Sequence, residues 1–193
     1  MNKPQVILII GGPGAGKGTI CNYIINDYNF VGTFSTGDLL RNIVKEKKVE
    51  GWEKLDADMK EGKLISSERV LLFLKNAILN SDKKFILVDG YPRNKENIEA
   101  WDKIMTDIVD VKAVLFFDCM EELMKKRIYG RKDGRADDNE DTINRRIRVF
   151  EKETKPLCPI FEKKGILIKI NCNQKMEYIY EDVKKVLKEL KVI

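Results

Sequence analysis

The chain contains no histidine. That absence removes the side chain that most often serves as acid or base near neutral pH, so proton transfer falls to carboxylates or is a minor part of the chemistry. Cysteine is sparse: Cys21, Cys119, Cys158 and Cys172 are the only four, and no two are spaced as CxxC. Without histidine and paired cysteines the usual donor sets for zinc are missing. The four thiols read as buried side chains of a reducing compartment. No apolar run approaches the ~20 residues needed to span a bilayer. The first strand candidate begins by about residue 5, which on this reading leaves no room for a signal peptide. Internal repeats and low-complexity linkers are also missing. The cytoplasm is the expected location, with the nucleus open as a second, and nothing suggests a membrane.

What is present fits one domain with a full core: 193 residues, 43% hydrophobic and 35% charged. The net charge of +5, from 36 basic and 31 acidic residues, suits either a solvated lysine-rich surface or an anionic partner such as a nucleotide or nucleic acid. Charge alone does not choose. Apolar bursts at 6–10, 33–35, 85–88, 111–117 and 166–170 read as buried strands, and their continuous apolar character suits a parallel sheet covered on both faces. Helical patterns lie near 17–28, 38–48, 52–61, 67–80, 95–108, 120–130, 139–163 and 175–190. The last is amphipathic with lysines outside, which suits packing on a sheet better than a membrane surface. The alternation predicts a doubly wound α/β fold. Residues 36–64 hold two helical patterns and no strand, and 131–138 are short and densely charged, so both read as insertions able to cover a site.

The glycine-rich stretch GGPGAGKGT at 11–19 follows the first strand and opens the first helix. Glycines let the backbone approach a ligand closely, the helix start offers free N–H groups, and Lys17 adds a point charge for β- and γ-phosphates. The common form of such a loop places Ser or Thr directly after the lysine to hold Mg²⁺. Here Gly18 stands there and Thr19 follows. A metal would then be held by phosphates and waters, with Asp89 at the end of the third strand able to hold a metal-bound water. A GTPase would need NKxD, whereas the chain has NKEN at 94–97 after a proline–arginine turn. Arg41 and Arg93 follow the second and third strands, where open α/β sheets bind ligands. Arg127, Arg131, Arg135, Arg145, Arg146 and Arg148 crowd one region. Of these, Arg145 and Arg148 read as surface or ion-pair residues.

Four motifs in order, GGPGAGKGT at 11–19, STGDLLR at 35–41, DGYPRN at 89–94 and GRADDN at 134–139, resemble the nucleoside monophosphate kinases, the family of adenylate and UMP-CMP kinases. The similarity runs from residue 5 to about 172. It implies a P-loop NTPase three-layer sandwich, with a five-stranded parallel sheet, a helical monophosphate-binding flap over about 36–64 and a short lid over about 131–138. ATP with Mg²⁺ would sit on Gly12, Gly14, Ala15, Gly16, Lys17, Gly18 and Thr19, with Arg127 stacked on its base. Arg41 and Arg93 would grip the acceptor phosphate, and Arg131, Arg135 and Arg146 would close over the moving phosphoryl group. The lid start RKDGR at 131–135 is two residues shorter than the RGxxSGR of relatives. Asp137 and Asp138 match the family's acidic pair, with an arginine-orienting or a structural role.

The same resemblance places the acceptor at Thr36, Lys63, Ile65, Gly90 and Asn97. Asparagine at 97, in PRNKEN at 92–97, is the form of UMP-CMP kinases, where adenylate kinases carry glutamine. AWD at 100–102 and VLFFDC at 114–119 also look closer to UMP-CMP kinases. Thr36 is the adenylate-kinase-like choice, and Ser66 stands where relatives have proline. The expected activity is transfer of the ATP γ-phosphate to CMP or UMP by a monomer. Adenylate kinase is the first alternative, and a nucleotide-binding module without turnover the second. No aromatic platform interleaved with basic residues points to nucleic acid.

Overall fold

The computed structural model describes residues 3–47, 49–130 and 139–193. Each apolar burst is a strand: β1 (Gln5–Gly11), β2 (Val31–Ser35), β3 (Phe85–Asp89), β4 (Asp110–Asp118) and β5 (Leu167–Asn171). Among the described residues they form one sheet in the order β2-β3-β1-β4-β5, with every neighbouring pair parallel. Parallel strands need crossovers, and the crossover helices cover both faces. That is why β1 is apolar without alternation: none of Val6, Ile7, Leu8, Ile9 and Ile10 is more than 3% exposed. The α/β architecture is the one the alternation predicts.

The helices are α1 (Lys17–Asp27), α2 (Thr36–Glu46), α3 (Trp52–Lys60), α4 (Ser67–Leu79), α5 (Lys95–Ile104), α6 (Glu121–Tyr129), α7 (Glu140–Val149), α8 (Cys158–Lys163) and α9 (Met176–Glu189). Their starts carry local signals. Ser35 accepts from the Asp38 N–H, Asn94 from the Asn97 N–H and Asn139 from the Thr142 N–H, each capping a helix whose first donors lack an internal partner. In α9, Ile179, Val183 and Leu187 point into the core, so its apolar stripe packs on the fold.

One expectation needs correction. The pattern at 139–163 reads as a single helix, yet it is broken into α7, a π-helical turn (Phe150–Thr154), a 3₁₀ turn (Lys155–Leu157) and α8. The cause is Pro156. Proline has no N–H to donate one turn back, and its ring would press on the carbonyl there. The chain widens before it, and the Lys155 N–H reaches the Phe150 carbonyl five residues back. Periodicity of apolar positions does not report this, because both sides of the break remain helical.

Because the strands are parallel, the segments after β1, β2 and β3 open on one edge of the sheet. β1 lies in its centre. The segment between β2 and β3 carries α2, α3 and α4, and α7 meets it: Thr142 Oγ1 donates to the Lys60 carbonyl at 2.8 Å.

Candidate active site

The turn after β1 is shaped by what lies beneath it. Gly14 has φ +79°, and a Cβ there would stand 2.4 Å from the Met124 carbonyl oxygen. Any side chain would therefore face both strain and a clash with α6 backbone. Gly16 precedes α1, so the first N–H groups of that helix face the loop. Lys17 folds back across the turn, and its ammonium donates to the Gly11 and Gly12 carbonyls at 2.9 Å each. Burial holds the Lys17 amine below its ordinary range. Asp89 opposes that effect, and the nearby positive charges of Arg93 and Arg146 add to it. A cation short of water and set among other cations is poised to receive an anion with several charges.

A cavity of about 750 Å³ lies over this loop. Among the described residues its walls include Gly14, Gly16, Lys17, Gly18 and Thr19 on one side. Arg41, Asp89, Gly90, Arg93 and Arg146 stand on the other. The structure thus brings together the lysine loop from β1, an arginine from α2, one following β3 and one from α7. Gly12 and Ala15 are buried behind the loop and Arg127 does not line the cavity. The Arg127 guanidinium donates to the Gln174 carbonyl at 2.7 Å and, more loosely, to the Ala15 carbonyl and the Cys119 sulfur. It braces the rear of the loop against the segment after β5. Arg131, Arg135, Asp137, Asp138 and the expected lid at 131–138 lie outside the described residues.

A smaller compartment of about 70 Å³ adjoins the cavity, with Thr36, Lys63, Leu64, Ile65, Val70 and Asn97 among its walls and Gly90, Arg41, Arg93 and Arg146 shared. Gly90 has φ +81°, and a Cβ there would lie 3.1 Å from Thr36 Oγ1 and 3.3 Å from the Arg93 guanidinium, so glycine keeps this wall open. Thr36 is 3% exposed, and its hydroxyl donates to the Asp89 and Gly90 carbonyls. Its hydroxyl therefore ties α2 to the end of β3 at the wall of this compartment. The Lys63 ammonium turns outward to Glu61 at 2.6 Å and Asp58 at 3.7 Å.

Asn97 is held on every side. Its N–H goes to Asn94, its carbonyl accepts from the Tyr91 hydroxyl, its Oδ1 accepts from the Arg93 N–H, and its Nδ2 donates to Ser67 Oγ at 2.6 Å. After these bonds one Nδ2 hydrogen and one Oδ1 lone pair remain, so the amide can still both donate and accept. Sequence reasoning did not single out Ser67, Thr142, Phe150 or Thr154. Each acts through a partner distant in the chain, and no local motif marks such a pairing. The Arg41 guanidinium meets Asp38, and Arg145 lies 3.9 Å from Glu61, an ion pair as its position suggested.

The donor chemistry also fits a hard divalent cation. The Asp89 carboxylate is 9% exposed, and its Oδ2 would lie 3.6 Å from a Cβ at Gly18. Thr19 lines the same space. These are oxygen donors with room between them and the loop, as Mg²⁺ with its waters requires. No group of three or more His, Cys, Asp or Glu side chains suited to caging a metal occurs among the described residues.

Comparison with known proteins follows this geometry. A family model described as adenylate kinase matches residues 9–166. The chain is 42% identical to UMP-CMP kinase 3 of Arabidopsis thaliana over 184 residues, covering 95% of this chain and 89% of that one. It is 37% identical to the UMP-CMP kinase of Danio rerio over 194 residues, covering 97% and 98%. With the UMP-CMP kinase of Homo sapiens it shares 36% identity over 188 residues, covering 94% and 95%.

Proposed function

The chain belongs to the adenylate kinase family, and from that premise we propose that it transfers the γ-phosphate of ATP to CMP and UMP, giving ADP with CDP or UDP. The observation that carries this reading is the single cavity joining the Lys17 loop to Arg41, Arg93 and Arg146, with a small compartment beyond them closed by Asn97. Donor triphosphate, acceptor phosphate and acceptor base each have a place in one continuous space.

The reaction needs little covalent help. The nucleophile is an oxygen of the acceptor's phosphate, whose second pKa is about 6, so it is already anionic at neutral pH. That removes the need for a general base and accounts for a phosphotransferase without histidine. The phosphate oxygen attacks the γ-phosphorus in line, and the bond to the β–γ bridging oxygen breaks with its electron pair leaving on ADP. Arg41 and Arg93 hold the acceptor phosphate. Lys17 and Arg146 offset the charge spread over the equatorial oxygens of the transferring group. Mg²⁺ entering with ATP would be held by the phosphates and through water by Asp89, and it would screen the charge between the two anions. Closure of the flap over about 36–64 would exclude water, which would otherwise compete as acceptor.

The Asn97 donor explains tolerance of both pyrimidines. Uracil O4 and cytosine N3 are both acceptors on the same edge of the ring, so one N–H can serve either. A coupled assay of ADP release with ATP, Mg²⁺ and CMP, UMP, AMP or GMP tests the proposal. Turnover is expected to be highest with CMP or UMP. AMP as best acceptor would move the chain to the adenylate kinases, and silence with all four would overturn the kinase reading.

A further inference from the structure

Thr154 is a buried polar residue, 5% exposed, at the end of the π-helical turn. Its hydroxyl donates to the Arg93 carbonyl at 2.7 Å, across 61 positions of chain. The same residue is held on its other side as well: the Arg93 N–H donates to Asn97 Oδ1 at 2.8 Å, and the side-chain Nε donates to the Gly90 carbonyl at 3.0 Å. Arg93 is itself exposed at the edge of the cavity, so packing alone does not fix where its backbone sits.

The turn that brings Thr154 there also touches the donor side. Phe150 opens the turn and stacks on Phe116, with ring centroids 6.3 Å apart. A Cβ at Gly12 would lie 3.2 Å from Phe150 Cδ1, so the ring rests against the glycine loop. Phe150 and Thr154 both line the large cavity. One short turn therefore contacts the loop that would hold the donor and the backbone of the arginine that would hold the acceptor. A regular helix over 150–154 would turn Thr154 to a different angle relative to Phe150.

We propose that Thr154 is a positioning residue for phosphoryl transfer, acting through Arg93, and that the π-helical turn sets the spacing between donor loop and acceptor arginine. This rests on the kinase reading above. In-line transfer is sensitive to misplacement of about 1 Å, so a small freedom of the Arg93 backbone lowers the rate more than it lowers stability.

Thr154→Val removes the hydroxyl and keeps the shape. It is expected to lose roughly tenfold in kcat/KM for CMP, the size of one hydrogen bond to a positioned group, with KM for ATP within about twofold of the unaltered enzyme. Thr154→Ser, which keeps the hydroxyl, restores most of that loss. Where valine does not fold, Thr154→Ala is compared with Thr154→Ser in the same way. The deciding measurement is the effect of Thr154→Val in an Arg93→Ala background. A residue that acts through Arg93 adds no further loss there, whereas a merely structural one adds the same fold-loss as before. Equal loss in both backgrounds, unchanged turnover in Thr154→Val, or no rescue by serine would overturn the proposal while the unaltered enzyme stays active. An unaltered protein silent with CMP, UMP and AMP would overturn the kinase reading instead, and this proposal with it.

Discussion

Arg93 and Lys17 carry opposite lessons at the scale of single residues. Arg93 stands at the shared wall of the two cavities with its backbone clamped and its guanidinium at the rim. Arg93→Ala removes charge from where the acceptor phosphate would sit but leaves the core untouched. We expect kcat/KM for the acceptor to fall by at least ~100-fold, with an unchanged circular dichroism spectrum. Near-normal turnover would count against the assignment. For Lys17 the prediction is a pH dependence. Its folded-state pKa lies below the ordinary 10.5 because burial and neighbouring cations disfavour the charged form. The charged form is the one that attracts phosphate. The kcat/KM for ATP should therefore fall as pH rises, with an alkaline limb below 10.5. Stability has the opposite sign in the same window: between the folded value and 10.5 the unfolded chain binds the proton more often, so stability rises with pH. Lys17→Arg keeps its charge throughout and should flatten the alkaline limb of the activity profile. An identical limb in that variant would assign the titration elsewhere.

Among elements, the contact between α7 and the end of α3 is the one to test. Thr142 is 5% exposed, its hydroxyl donates to the Lys60 carbonyl, and a Cβ at Gly62 would lie 3.2 Å from Arg146 Cγ. The helix that carries Arg146 is thereby latched to the segment expected to close over the acceptor. Thr142→Val should weaken that latch by about 0.5–1.5 kcal/mol. KM for the acceptor should rise several-fold, kcat should fall with it, and KM for ATP should stay the same. A variant that changes only thermal stability would make the contact structural. Asn94 directly precedes its helical pattern at 95–108, whereas the patterns at 38–48 and 139–163 do not mark Ser35 and Asn139 as caps. The π-helical turn is not legible in the sequence, because Pro156 disturbs hydrogen bonding and leaves the apolar spacing intact.

For the whole molecule, the relevant property is that the Lys17 loop and the arginines Arg41, Arg93 and Arg146 face one open space on the carboxyl edge of the sheet. Nucleotides that bind the folded state and not the unfolded chain stabilise it by about 2.7 kcal/mol at a hundred times Kd. For a chain of this size that corresponds to a rise in Tm of roughly 5–10 °C. Thermal denaturation with ATP–Mg²⁺ and CMP should show it, and no shift at saturating nucleotide would contradict the site. The four cysteines are free and buried, and burial pushes the Cys172 thiol up to about 12.

The sequence by itself determined the strand order along the chain, the parallel character of the sheet, the phosphate loop and the arginines at strand ends. Those features are local: a run of apolar residues, a glycine pattern, a cap, a residue placed just after a strand. Gly14 and Lys17 could be assigned to their parts because the loop is contiguous. Tertiary structure decided what each side chain is free to do. Thr36, expected beside the acceptor, lines the smaller compartment and ties α2 to β3 through its hydroxyl. Asn97 lines the smaller compartment, and its Oδ1 also holds the Arg93 N–H. Thr142 and Thr154 gained roles from carbonyls that lie 82 and 61 positions away in the chain. A hydroxyl or an amide can take many partners, and only the folded backbone selects which carbonyl or N–H comes within hydrogen-bonding reach.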